Sequence, residues 1–110
     1  MPGEFRFSGE RGGGRLRDYE LVVVLSPEVG DEEVPAAMER ISQFVTDRGG
    51  EVTEVNRWGR RKLAYPIRRH LEGNYVVSQL RLEPKTAAEL EANLRISEEV
   101  LRHLLVRAGE

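Results

Sequence analysis

Basic side chains that could neutralise phosphate groups are concentrated in one short segment of the sequence. Residues 56–71 contain six Lys or Arg and no Asp or Glu, although the whole chain of 110 residues has a net charge of -2. Because six of the 17 basic residues lie there, the other positions hold 11 basic residues against 19 acidic ones.

Arginine donates paired hydrogen bonds to phosphate oxygens, and clustered cations release the counterions of a nucleic acid on binding. We therefore predict phosphate contacts in this segment, with a solvated basic edge as the alternative. The candidate RNA-binding residues are Arg60, Arg61, Lys62, Arg68 and Arg69, together with Arg17 at the start of the first predicted strand.

The residue inventory does not favour catalysis or metal binding. The chain has no cysteine, which excludes a disulfide, a thiolate zinc site and a cysteine nucleophile. Its two histidines, His70 and His103, have no acidic or cysteine companion at the spacing of a metal site or a catalytic triad. We expect structural roles for both histidines, no metal or other cofactor, and no enzyme activity.

The first part of the chain predicts a strand followed by a helix. Residues 17–26 are rich in β-branched and aromatic side chains, and apolar residues on both faces favour a central strand. Between residues 31 and 48 apolar side chains recur at helical spacing. Gly49 and Gly50 end this helix, because glycine adopts the left-handed C-terminal conformation without steric strain.

The middle of the chain predicts a long extended segment at residues 51–68. The glycine at position 59, next to Trp58, indicates a bulge or bend. Pro66 has no amide proton to donate, so this strand is expected at a sheet edge or beyond the sheet.

The remaining elements are a turn, a strand, a short helix capped by Thr86 and a final strand, at residues 69–73, 75–82, 86–94 and 99–107. The order is therefore β-α-β-β-α-β. It predicts an α+β, ferredoxin-like fold, in which two helices cover one face of a four-stranded antiparallel sheet.

The domain is expected to span residues 17–108, after an N-terminal extension at residues 1–16. Glycine and arginine dominate this extension, so we predict that it is disordered. It is either an arm that touches RNA phosphates or a solvated, dispensable segment. Because no apolar run has the length typical of a signal peptide or a transmembrane helix, we expect a soluble protein that is not exported.

The other face of the predicted sheet is not covered by helices, although several strands carry apolar residues on both sides. Such a face either binds a partner or promotes aggregation. We predict that it docks a partner protein, and the candidate partner-binding residues are Val22, Val24, Trp58, Leu63, Tyr65 and Ile67.

Two of these candidates are aromatic and have alternative interpretations. Tyr65 alternates with Leu63 and Ile67, which favours an interior position over stacking on a base. Trp58 lies beside the predicted bend and is expected to be exposed, with RNA or the partner protein as its contact.

The run Arg61-Lys62-Leu63-Ala64-Tyr65-Pro66-Ile67, which follows Gly59 and Arg60, resembles the signature of the bacterial small-subunit ribosomal protein six family. The resemblance extends over nearly the whole of residues 17–107. It includes, in the family's order, Arg17-Asp18-Tyr19-Glu20, Gly50-Glu51-Val52, Gly73 with the strand after it, and Leu94-Arg95-Ile96 before a strand rich in valine and leucine.

This resemblance implies a ferredoxin-like component of the cytoplasmic ribosome that takes part in translation. It also implies that the chain pairs with small-subunit ribosomal protein eighteen, and that the pair docks on the central domain of the small-subunit ribosomal RNA during assembly. The glycine-rich extension before Arg17 is unusual for the family, and the chain stops at Glu110 where some relatives are longer. These departures concern terminal contacts and not the fold.

Two other classes of function use the same topology. An acylphosphatase-like hydrolase needs backbone amides and an arginine around phosphate just after the first strand. That loop here contains Pro27, Glu28 and Asp31, which disfavours phosphate binding. A small-molecule regulatory module would need a glycine-rich loop at the same place, where only Gly30 is present, but the fold alone does not exclude it.

Overall fold

The computed structural model describes residues 15–108, and their strands form one antiparallel sheet. In chain order the strands are β1 (Arg17–Leu25), β2 (Glu51–Ile67), β3 (His70–Leu82) and β4 (Val100–Arg107). Their spatial order is β2-β3-β1-β4, so β1 is central and β2 is an edge strand, as predicted. The predictions for residues 1–14 lie outside the described residues.

Two helices pack on one face of this sheet. They are α1 (Val34–Asp47), preceded by a short 3-10 turn (Asp31–Glu33), and α2 (Pro84–Arg95). Each has a proline in its first turn, where the missing amide proton is not needed. The arrangement confirms the predicted ferredoxin-like α+β fold. Neither helix has the length and apolarity needed to cross a membrane.

The start of α2 differs from the prediction. Thr86 is not the cap, because the helix begins at Pro84 and Glu83 is the N-cap residue. The fixed φ angle of proline suits the first helical position, and Thr86 is instead buried within the helix. The end of α1 agrees with the prediction, since Gly49 has a φ angle of +86°.

The core lies between the helices and the covered face of the sheet. Side chains alternate between the two faces of a strand, and four side chains of β1 point toward the helices and are buried: Tyr19, Leu21, Val23 and Leu25. Val45 of α1 and Leu90 of α2 are fully buried against them. We call the sheet face away from the helices the open face.

The turn between β2 and β3 is shorter than predicted. The predicted turn at residues 69–73 and the strand start at Tyr75 are wrong, because β3 begins at His70 and only Arg68 and Arg69 form the turn. Both arginines have positive φ angles, 50° and 70°. Two consecutive left-handed residues make a tight hairpin whose twist matches the flanking strands. Arginine is not a typical residue at either position, so the sequence did not indicate this turn.

The β2–β3 hairpin continues past the end of β1. The last residue of β1, Leu25, pairs with Asn74, so the residues of β3 before Asn74 pair with β2 and not with β1. We call the projecting residues 60–73 the hairpin arm. This arm contains five Lys or Arg and a single acidic residue, Glu72.

Two irregularities shape the arm. At its base Trp58 is an extra residue of β2 between Arg57 and Gly59, which pair with consecutive residues of β3. Gly59 has a φ angle of +86°, so the bulge predicted at this position is confirmed. Nearer the tip, residues 63–66 lie between the pairs Lys62–Glu72 and Ile67–His70. There four residues of β2 lie opposite Leu71 alone. Pro66 is one of these unpaired residues, and it has no amide proton to donate to the neighbouring strand.

Candidate RNA and partner interface

Five of the six predicted RNA-binding residues lie together on the hairpin arm, and the sixth does not. Arg60, Arg61, Lys62, Arg68 and Arg69 are all exposed. Arg17 is half-buried and lies opposite Leu82, at the far end of the 13-residue β3 from the arm. At about 3.3 Å per residue this separation is roughly 40 Å. The structure therefore does not place Arg17 in the same patch.

Three arginines of β2 and its turn are bonded to loops of the protein body. Arg57 Nη2 donates to the Asp31 carbonyl at 3.3 Å, and Arg60 Nη2 donates to the Pro27 carbonyl at 3.4 Å. At the turn, Arg68 Nη1 donates to the Glu98 carbonyl at 3.2 Å. These loops follow β1 and α2, so the bonds hold the hairpin against two separate parts of the chain.

Arg60 has a second contact that lowers its local positive charge. Its Nη1 lies 3.6 Å from Glu72 Oε1, and the two side chains are 47% and 46% exposed. Such an exposed ion pair contributes little stability. The Glu72 carboxylate pairs with Arg60, although Glu72 lies directly opposite Lys62 on the neighbouring strand.

The other three cations of the arm have no such bonds. Within residues 15–108, the side chains of Lys62 and Arg69 make no hydrogen bond or ion pair. Arg61 lies over the Trp58 ring, with its guanidinium carbon 5.4 Å from the ring centre. This cation–π contact leaves the guanidinium hydrogens without a carboxylate partner.

Both aromatic side chains of β2 are exposed. Trp58 is 53% exposed, as predicted, and Tyr65 is 57% exposed, so the interior position favoured for Tyr65 is wrong. The bulge at residues 63–66 interrupts the alternation on which that expectation rested. The Tyr65 hydroxyl instead accepts a hydrogen bond from Arg102 Nη1 at 3.1 Å. This bond links the arm to β4.

The open face carries apolar side chains in its middle. Val22 pairs with Leu104 and Glu20 pairs with Val106, so alternation places all four side chains on this face. Val22 is half-buried, Leu104 is 51% exposed and Val106 is 42% exposed. These exposed residues of β4 were missed as candidates, although alternate positions of the predicted last strand were apolar.

The remaining partner-binding candidates are less uniformly exposed. Val24 is only 3% exposed, because its side chain packs against Gly73 and the base of the arm. Leu63 and Ile67 are half-buried on the arm. Of the predicted set, Trp58 and Tyr65 thus offer the most surface, and Val22 lies beside Leu104.

The described part of the chain gives little support for a metal site or a histidine-based catalytic triad. Within residues 15–108 there is no group of three or more His, Asp or Glu side chains arranged to hold a metal ion. His70 is the first residue of β3, and His103 pairs with Val23 in the sheet. Among the described residues neither histidine side chain makes a hydrogen bond or ion pair with an acidic side chain, although His70 lines a surface pocket together with Glu28 and Glu98.

Comparisons with known proteins agree with this geometry. The family model described as Ribosomal protein S6 matches residues 18–107. A small ribosomal subunit protein bS6 from Desulforudis audaxviator is 46% identical over 92 residues, which cover 84% of this chain and 98% of that protein. The protein of the same name from Dehalococcoides mccartyi is 46% identical over 95 residues, which cover 86% of this chain and 87% of that protein.

Solved structures show the same likeness. The crystal structure of 30S ribosomal protein S6 from Thermotoga maritima matches with a TM-score of 0.77 at 33% identity, and covers 84% of this chain and 88% of that one. The C-terminal domain of the MgtC protein from Mycobacterium tuberculosis matches with a TM-score of 0.60 at 16% identity over 90% of this chain and 93% of that one. This second likeness concerns the fold alone.

Proposed function

Because the chain belongs to the ribosomal protein S6 family, we propose that it binds the central domain of the small-subunit ribosomal RNA together with small-subunit ribosomal protein eighteen. The family consists of structural proteins of the bacterial small ribosomal subunit and not of enzymes. The protein is therefore a small-subunit component of the cytoplasmic ribosome, and the proposal concerns which surfaces it uses there.

The observation that carries the RNA contact is the charge of the hairpin arm. Five exposed cations and one carboxylate project from a chain whose net charge is -2. Such a concentration of like charge is unfavourable unless something neutralises it, and a phosphate backbone does so with release of counterions. Of the 19 acidic residues of the chain only Glu72 lies in the arm, so the arm is a part of the described surface that suits RNA.

The open face supports the protein contact. Leu104 and Val106 expose roughly half of their surface beside Val22, and burying apolar surface of this kind favours association. Trp58 is exposed at the base of the arm, and Tyr65 is exposed and bonded to Arg102 of β4. Exposed aromatic side chains are common anchors of protein interfaces. Protein eighteen on the open face would thus lie beside RNA on the arm.

Reconstitution tests this proposal. The full-length chain, purified protein eighteen and a transcript of the central domain are mixed, and binding is measured as a function of salt concentration. We expect saturable binding when both proteins are present. Binding of this chain alone should be weak, because the protein outside the hairpin arm is acidic and repels phosphate. A transcript from another domain of the same RNA is the control. Tight, saturable binding without protein eighteen, or equal binding to both transcripts, would contradict the proposal.

A further inference from the structure

We propose that the six cations of the hairpin divide into two groups with different roles in RNA binding. Arg57, Arg60 and Arg68 are positioning residues that fix the direction of the arm. Arg61, Lys62 and Arg69 are the residues that contact phosphate. This inference rests on the proposed function, because it assigns roles within the RNA surface that the proposed function requires.

Bonds to backbone carbonyls define the positioning group. Arg57, Arg60 and Arg68 donate to the carbonyl oxygens of Asp31, Pro27 and Glu98, respectively, at 3.2–3.4 Å. A guanidinium has five N–H donors, so one carbonyl bond leaves others available. The bond nevertheless holds each guanidinium against the body of the protein, and Arg60 is additionally paired with Glu72.

The three carbonyls belong to two loops that lie far apart in the chain. Asp31 and Pro27 follow β1, whereas Glu98 lies between α2 and β4. A hairpin that projects beyond β1 has no sheet neighbour to fix its direction there. Bonds to both loops supply that restraint, so removing them should loosen the arm without removing the phosphate contacts.

The contact group has the opposite environment. The side chains of Lys62 and Arg69 make no hydrogen bond or ion pair within residues 15–108, and the Arg61 guanidinium contacts only the face of Trp58. Binding a phosphate therefore breaks no existing ion pair of these side chains. Each phosphate contact releases a condensed counterion and steepens the salt dependence of binding.

Two triple variants with the same change in charge separate these roles. One carries Arg61→Gln, Lys62→Gln and Arg69→Gln, and the other carries Arg57→Gln, Arg60→Gln and Arg68→Gln. Each is assembled with protein eighteen and the central-domain transcript, and the affinity is measured between about 50 and 200 mM salt. Amide hydrogen exchange of the arm is measured on the same proteins.

The contact variant should reduce the slope of log affinity against log salt by about 2–3, since each of the three phosphate contacts adds about 0.7–0.9 to it. Its arm should exchange hydrogen as slowly as that of the unmodified protein. The positioning variant should keep nearly the original slope, bind more weakly and exchange the amides of the arm faster. Arg61→Lys with Arg69→Lys should retain the original slope, because a point charge still neutralises a phosphate.

Equal reductions in slope for the two triple variants would overturn the division of roles while leaving the arm as the RNA surface. If neither variant weakened RNA binding, the arm would not contact RNA and the division of roles would fall, whereas the proposed function fails only if the unmodified protein does not bind the transcript together with protein eighteen. Thermal unfolding shows whether each variant is folded. If the positioning triple is unfolded, the single replacements Arg57→Gln and Arg68→Gln are compared with Arg61→Gln, and equal slopes among them again overturn the division.

Discussion

The Tyr65 hydroxyl accepts a hydrogen bond from Arg102 Nη1 at 3.1 Å, and 37 positions separate these residues in the sequence. Tyr65 belongs to β2 and Arg102 to β4, the two edge strands of the sheet. The bond forms because the arm extends past β1 and turns toward the start of β4. Together with the bond from Arg68 to the Glu98 carbonyl, it gives the arm two contacts near β4.

Tyr65→Phe should therefore loosen the arm without unfolding the protein. The bond is exposed to solvent, so its loss should lower the free energy of unfolding by about 0.5–1 kcal/mol at most. Hydrogen exchange of the arm amides should accelerate by several-fold. Arg102→Gln and the double variant complete a double-mutant cycle. A coupling energy of zero, with unchanged exchange, would show that the bond does not restrain the arm.

Gly59→Ala should weaken RNA binding, and Gly49→Ala should not. Both glycines have a φ angle of +86°, and an added Cβ would have open space at both positions. Each variant should therefore lose about 1–2 kcal/mol of stability through backbone strain alone. Gly59 lies in the bulge at the base of the arm, whereas Gly49 ends α1. Affinities for the central-domain transcript that fall equally in both variants would argue against a role of the bulge in directing the arm.

Gly73→Ala should destabilise the protein for a different reason, because the space at this position is filled. An added Cβ would lie 2.5 Å from Val24 Cγ1 and 3.1 Å from the Leu25 carbonyl oxygen. Overpacking of this kind lowers the free energy of unfolding by about 1–3 kcal/mol. Gly30→Ala is the control, since the three atoms nearest to its new Cβ all belong to the carboxylate end of the Glu32 side chain, the closest at 2.9 Å, and a side chain of this length can move aside. Denaturant unfolding of the two variants should separate them clearly, and equal stability would refute the close packing at the base of the arm.

Leu104→Ser should weaken the binding of protein eighteen and leave the fold unchanged. Leu104 is 51% exposed on the open face, so its replacement should change stability by only about 0.5 kcal/mol. Loss of an apolar contact at a buried interface should reduce affinity about tenfold, which corresponds to about 1.4 kcal/mol. Ile96→Ser is the matched control, because Ile96 is 79% exposed and lies after α2, away from the open face. Equal affinities of the two variants for protein eighteen would exclude Leu104 from the interface.

The order of elements and the sheet were predictable because each depends on local sequence patterns. Alternation marked β1, helical spacing marked α1, and the unpaired Gly59 marked the bulge. The turn at Arg68 and Arg69 was not predictable in this way. Positive φ angles at two consecutive arginines are unfavourable on local grounds. The hydrogen bond from Arg68 to the Glu98 carbonyl joins residues that are 30 positions apart, so local sequence patterns do not reveal it.

The sequence predicted which residues form the candidate site, but it did not predict which contacts their side chains make. The run without acidic residues identified the cations of the arm, but no local pattern distinguishes Arg60, which is bonded to Pro27 and Glu72, from Lys62, which has no such bond. Tyr65 was expected inside the protein because its neighbours alternate with it. The bulge of residues 63–66 removes that alternation, and its presence depends on the pairing with β3.

A structure of the small ribosomal subunit that contains this chain would test the central claim most directly. We predict that the side-chain nitrogens of Arg61, Lys62 and Arg69 lie within about 4 Å of phosphate oxygens of the ribosomal RNA, and that protein eighteen covers Leu104 on the open face. An arm that extends into solvent, with no nucleotide near these three side chains, would contradict the account.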